Sequence, residues 1–227
     1  MLSKDSLQFL DDLKANNNRE WFLDNKKRYE IFKKDYQQLV GNFLDAMKPL
    51  DPSLELLEVK NCTFRINRDI RFSKDKSPYK NHFSVGFNRT KPLLRGGMYL
   101  HIESEASFVG GGFWEPNAAD LFRMRKEIEM DASELRAIIA EESFQKYFKS
   151  IEGEELKTAP KGFDKTHPDI DLIRKKQFLL TRSFTNKEVL SANFQSEVIA
   201  TFKAMRPFFD YMSDVLSTDL NGESLYN

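Results

Sequence analysis

Residues 64–82, FRINRDIRFSKDKSPYKNH, set Arg65, Arg68, Arg71, Lys74, Lys76 and Lys80 against only Asp69 and Asp75. Cations gathered this closely suit a phosphate or carboxylate ligand, because arginine grips such groups through paired, charge-assisted hydrogen bonds. Each such bond is worth roughly 1.5–3 kcal/mol net. The candidate anion-binding residues are Arg65, Arg68, Arg71 and Lys80, with Tyr79 and His82 at the margin, where the segment enters the next strand. Arg68 is the sharpest case. On an ideal strand it shares a face with Phe64, Ile66, Ile70 and Phe72, while Arg65, Asn67, Asp69 and Arg71 point the other way. A guanidinium cannot shed its charge, so among apolar neighbours it must meet a carboxylate, carbonyls or a bound anion. The structural alternative is a network of internal salt bridges, with Glu20, Asp75, Glu103 and Glu115 as partners. Solvated charge without a function is the third reading.

A second constellation lies in YLHIES. His101 and Glu103 are two residues apart, so on a strand both point to the side of Tyr99. A histidine beside a carboxylate titrates near neutrality and suits acid–base work. The same pair can begin a metal site, but such a site needs a third protein ligand, which His82 on a neighbouring strand would supply. The plainer reading is a cross-strand polar pair, and neither a metal nor another cofactor is expected.

Other chemistry finds less support. GGGFW lacks the Gly-Lys-Ser/Thr ending of a phosphate loop, and glycines within a strand mark a bulge or a close approach to the backbone. Trp114 reads as a core or interface aromatic, with a stacking platform as the alternative. Cys62, in an apolar-alternating segment, is expected to point inward as an inert thiol. His167, in THPD, is a loop residue with no direct role expected. KKRYEIFKK invites a helix-turn-helix reading, which the length of that helix and its aromatic stripe oppose.

These residues need elements to position them. Leu7, Leu10 and Leu13 define one face of a short first helix. Asn17 with Glu20 has the spacing of a capping box for a long second helix, striped by Phe22, Tyr29, Phe32, Tyr36, Leu39, Phe43 and Met47. Pro49 and Pro52 end it. The period then shortens to that of strands, and short links such as LRGG and ESEAS favour antiparallel neighbours. The pattern predicts helices over about 3–50, a main sheet over about 54–114, helices over about 117–150, a strand over about 177–185 and a helix over about 193–217, kinked at Pro207. Asn117 with Asp120, and Asp131 with Glu134, mark helix starts. The expected class is α+β, a single domain over 1–227 with an antiparallel sheet covered by long N- and C-terminal helices.

Composition sets bounds. Lys plus Arg and Asp plus Glu each number 35, which argues against a dedicated polyanion coat-binder while leaving room for a local basic patch. One cysteine excludes an internal disulfide and a cysteine-rich zinc site. No apolar signal opens the chain and no run approaches a membrane span, so a soluble cytoplasmic protein is expected, with no membrane partner.

NNNREWF, FRINRDIRFSKDKSPYKNHF, GGMYLHIE, SFVGGGFWEP and PKGFDKTHPD together resemble an uncharacterised bacterial and fungal domain-of-unknown-function family. The resemblance runs from the first helix almost to the C-terminus and implies one domain spanning the chain. It brings no activity, ligand or catalytic residue. The leading functional expectation is therefore binding, with or without processing, of a phosphorylated or other anionic ligand at the basic segment. A small anion is the favoured partner, ahead of nucleic acid. The alternatives are an acid–base or metal-assisted hydrolase using His101 and Glu103, and a non-catalytic protein-interaction module. Whether the chain is an enzyme, and its oligomeric state, are left open.

Overall fold

A computed structural model describes residues 2–226. Helix α1 (Lys4–Ala15) begins where the Ser3 hydroxyl accepts from the Ser6 amide, and it buries Leu7, Phe9, Leu10 and Leu13. The expected long second helix is divided in two. α2 (Arg19–Asp24) and α3 (Lys26–Met47) meet at Asn25, which ends one helix and begins the other. Asn18 caps α2 by accepting from the Trp21 amide, so the capping box expected from Asn17 and Glu20 does not form. α3 buries Phe32, Tyr36, Leu39, Val40, Phe43, Leu44 and Met47, the stripe that its sequence period calls for.

Residues 54–82 are the main departure from the sequence pattern. The sheet was expected to begin near 54, but its first strand begins at Phe83. The intervening chain forms a short helix α4 (Val59–Cys62) and an irregular arm joined by two isolated antiparallel bridges, Thr63 to Val85 and Asn67 to Tyr79. Alternation alone therefore misleads: Arg68 interrupts the face of Phe64, Ile66, Ile70 and Phe72, and Arg65 and Arg71 charge the other, so no continuous apolar face remains to bury.

The sheet is antiparallel, in the order β1 (Phe83–Asn88), β2 (Gly97–Ile102), β3 (Ser107–Phe113) and β4 (Phe178–Phe184), and the fold is α+β. Before β4 come α5 (Ala118–Met130), α6 (Ser133–Ala140), α7 (Glu142–Tyr147) and α8 (Ile170–Ile173); α9 (Asn186–Val189) and α10 (Phe194–Ser217) follow it. Asn117 caps α5 by accepting from the Asp120 amide, as its spacing suggested. Asp131 accepts from Ser133 just ahead of α6. Pro207 lies within α10. Both outer strands have a partner beyond the ladder, Thr63 on β1 and Glu152 on β4, which shields edges that would otherwise template pairing with another chain. Among the described residues, no helix is long and apolar enough to cross a membrane.

The chain gathers into two compact units. One comprises the chain up to Phe87 with Tyr99–Val109 and Ser183–Ala200; the other comprises Asn88–Met98, Gly110–Arg182 and the chain from Thr201 onward. In the first, Phe32 and Tyr36 pack on Phe83, and the Tyr36 hydroxyl donates to the Ser84 carbonyl. In the second, the Arg89 guanidinium is wholly buried and donates to Asp210 at 2.5 Å.

Candidate functional site

Strand β2 alternates strictly: Met98, Leu100 and Ile102 are buried, while Tyr99 and His101 face the other way. Glu103 continues that second face at the strand's end. Its backbone is fixed by Ser107, whose hydroxyl accepts from the Glu103 amide at 3.1 Å and donates to the Glu103 carbonyl at 2.8 Å. His82, immediately before β1, comes to the same face. Its ring centroid lies 4.3 Å from that of His101, and Phe108 of β3 stacks on the far side of His101 at 4.9 Å. One ligand atom from each of His82, His101 and Glu103 falls within 4.8 Å of the others.

The surroundings hold these groups in place. Asn17 bonds both backbone groups of Tyr79, accepting from its amide at 3.0 Å and donating to its carbonyl at 2.9 Å, which anchors the chain three residues before His82. Asn81 Nδ2 donates to Glu103 Oε1 at 2.7 Å, and Lys14 Nζ, from the last turn of α1, donates to the same oxygen at 3.2 Å. Glu103 Oε2 lies 3.1 Å from His101 Nε2, and the Tyr99 hydroxyl lies 3.3 Å from His101 Nδ1. Sequence reasoning paired His101 with Glu103 but missed Lys14, Asn17, Asn81 and Phe108. Asn81 had a signal in its position beside His82; Lys14 and Asn17 had none, because their roles span 62 or more residues.

Burial, with the neighbouring His101, pushes His82 down to about 4; Lys80 and Arg68 act in the same direction and Glu103 against it. Burial pushes the Glu103 carboxyl up, but the hydrogen bonds from His101 and Lys14 outweigh it and leave the group below its usual range. At neutral pH the site therefore presents an uncharged His82 imidazole and an ionised carboxylate. Below about pH 6.5 the unfolded chain takes up a proton at residue 82 that the folded chain refuses until about pH 4, so stability falls as pH drops through that window. After discounting for partial exposure, the loss is about 1–2 kcal/mol. Thermal melts from pH 7 to pH 4 should show a shallower decline for His82→Asn than for the parent chain; parallel curves would contradict this.

The candidate anion-binding residues each have contacts of their own. Arg68 is met by Asp75, the Ser77 carbonyl at 3.1 Å and the Ser73 hydroxyl at 3.4 Å. Arg71 pairs with Asp69 at 2.7 Å, on an exposed turn. Lys80 Nζ lies 5.4 Å over the Phe64 ring. Tyr79 is buried, its ring stacked on Phe22 at 4.0 Å. Arg65 lines a hollow of about 230 Å³ with Lys33, Tyr29, Gln37 and Asn67, and none of His82, His101 and Glu103 borders it.

Elsewhere, Cys62 is buried as expected, although on a helix rather than a strand, and burial pushes its thiol up to about 11. Trp114 is 66% exposed, so of its reading as a core or interface aromatic the core half does not hold. His167 has a structural role: its Nδ1 accepts from the Asp169 amide at 3.1 Å and its Nε2 lies 3.2 Å from the Glu129 carbonyl. Gly112 has a φ of 127°, and its backbone packs close to that of Phe178.

Fold and site together describe an α+β protein with a histidine–carboxylate cluster on the face of its sheet opposite the buried β2 side chains. The family model described as conserved hypothetical protein (DUF2461) matches residues 5–211, and the chain belongs to that family. No curated protein and no solved structure matches it.

Proposed function

We propose that His82, His101 and Glu103 bind a first-row divalent metal ion and that the ion activates water to hydrolyse an anionic ester. The observation that carries this reading is the approach of three ligand atoms of the right types to within 4.8 Å of one another. Two imidazoles and one carboxylate suit zinc and neighbouring metals and leave coordination positions open for water. Bonds of about 2.1 Å put ligand atoms about 3.4 Å apart in a tetrahedral site. The 3.1 Å edge between His101 and Glu103 already has that scale. With Nε2 on the metal, His101 Nδ1–H donates to the Tyr99 hydroxyl, the outer contact that fixes a ligating ring. Asn81 and Lys14 hold the carboxylate in the same way. A bound water loses its proton near neutral pH and attacks the ester centre; the departing oxygen takes up a proton, so that one water is consumed.

The test is titration of chelator-stripped protein with Zn²⁺ and Co²⁺. One equivalent is expected to bind, with visible absorption bands in the cobalt form. At 100 times the dissociation constant the melting temperature should rise by roughly 5–10 °C, equivalent to about 2.7 kcal/mol. His101→Ala and Glu103→Gln should each abolish both signals. Absence of binding, or binding that survives both substitutions, rules out the site.

A further inference from the structure

The arm at residues 63–82 carries six cations against two acids, in a chain whose total charge is zero. Its base is paired: Arg68 N donates to the Pro78 carbonyl at 2.9 Å and Lys80 N to the Ile66 carbonyl at 2.8 Å. Its tip is braced from within. Asp75 receives Arg68 as well as the Ser77 amide and hydroxyl, Asp69 receives Arg71, and Lys76 Nζ donates to the Ile70 carbonyl at 3.0 Å. Both acids are thus used in shaping the arm. Among the described residues, Arg65 and Lys74 make no ion pair.

On this braced support stand two rings that the fold leaves in water. Phe72 at the tip is 96% exposed and Phe64 at the base is 50% exposed. Burying a phenylalanine is worth about 1.5–3 kcal/mol, so a ring held almost wholly in solvent forgoes that stabilisation. Each ring has its own cation: the Arg71 guanidinium lies 5.8 Å from Phe72 and Lys80 Nζ lies 5.4 Å from Phe64. Ring plus cation, repeated along an extended element, complements base plus phosphate repeated along a single strand. An insert into a lipid surface would need its rings at one depth, whereas these occupy opposite ends of the arm. From Phe64 the next ring is Tyr99, at 6.4 Å, and Tyr99 contacts His101.

We infer that the arm binds single-stranded nucleic acid and leads it toward His82, His101 and Glu103, so that the anionic ester of the proposed reaction is a phosphodiester. The binding half stands by itself; the substrate half rests on the metal reading. In hydrolysis, the water-derived hydroxide adds to phosphorus, the P–O bond to the leaving sugar oxygen breaks, and that oxygen takes the proton released by the water.

Fluorescence anisotropy with labelled 12-nucleotide DNA and RNA, in chelator and at 50–200 mM salt, reads binding without any metal. Single strands should bind more tightly than duplex of the same length. Phe72→Ala should weaken binding roughly 5- to 100-fold, and Lys74→Ala should lower the magnitude of the salt slope by about 0.7. Both positions are exposed, so both variants should fold. No binding at 50 mM salt, equal binding of duplex, or wild-type affinity in both variants overturns the arm's role. Binding to phosphatidylserine vesicles in place of oligonucleotides does so as well. Addition of Mn²⁺ or Zn²⁺ then reads the second half. Strand cleavage that disappears in His101→Ala supports it, and intact strands on a protein shown to hold both metal and oligonucleotide overturn it. A protein that binds strands but no metal refutes the metal site and the substrate half, and leaves the arm standing.

Discussion

Gly112→Ala is expected to destabilise the protein by about 3–5 kcal/mol, a large share of the roughly 5–15 kcal/mol that keeps a typical domain folded. Two effects combine. At a φ of 127° an L side chain is strained in any surroundings. In addition, a Cβ here would meet the Phe178 carbonyl oxygen well inside van der Waals contact and the Leu179 Cα at 3.1 Å. Those atoms are backbone of β4, and Phe178 is itself fully buried, so nothing can rotate away. Gly162→Ala separates the two effects, because its φ is 87° but no atom lies within 4 Å of the added carbon. It should cost only about 1 kcal/mol. Urea denaturation of the two variants provides the comparison, and similar midpoints would mean that β3 and β4 are not packed as described.

The second large effect is expected at Asp210. Its carboxylate meets the Arg89 guanidinium, whose side chain is entirely buried, and also accepts from Arg206 Nε at 3.0 Å. Arg89 also donates to Ser213 Oγ at 3.4 Å and to the Arg95 carbonyl at 3.5 Å, contacts that carry no opposing charge. Removing one partner of a buried ion pair typically costs about 3–5 kcal/mol; because Asp210 is itself 45% exposed, about 2–4 kcal/mol is expected. Replacing both partners removes the charge that needs compensation. Arg89→Met combined with Asp210→Ala should therefore be more stable than Asp210→Ala alone. A double variant less stable than Asp210→Ala would show that the guanidinium contributes through packing rather than charge.

Arg89 also shows where sequence reasoning meets its limit. Alternation places Arg68 among apolar residues and so predicts a buried guanidinium there. Arg68 instead lies on an irregular arm, satisfied by Asp75 seven positions away, one of the acids the sequence had offered. Among the described residues the cation that the fold does bury is Arg89, one step beyond the alternating Phe83, Val85 and Phe87, and its partner is 121 residues distant. Period reports a face only where a ladder exists to define faces, and residues 64–72 have none.

Residue spacing alone already specifies the helices with clear stripes, the α+β class, β4, the final helix, and the common side of Tyr99, His101 and Glu103. Those are local properties, set by spacing along one element. How the chain closes settles that His82 reaches His101, that Lys14 of α1 and Asn17 just after it brace the cluster, and that Phe72 is held in water at the tip of a charged arm. The physical reason is the range of the forces involved. Backbone periodicity acts over a few residues, whereas a site is made by side chains whose meeting depends on how the whole chain closes.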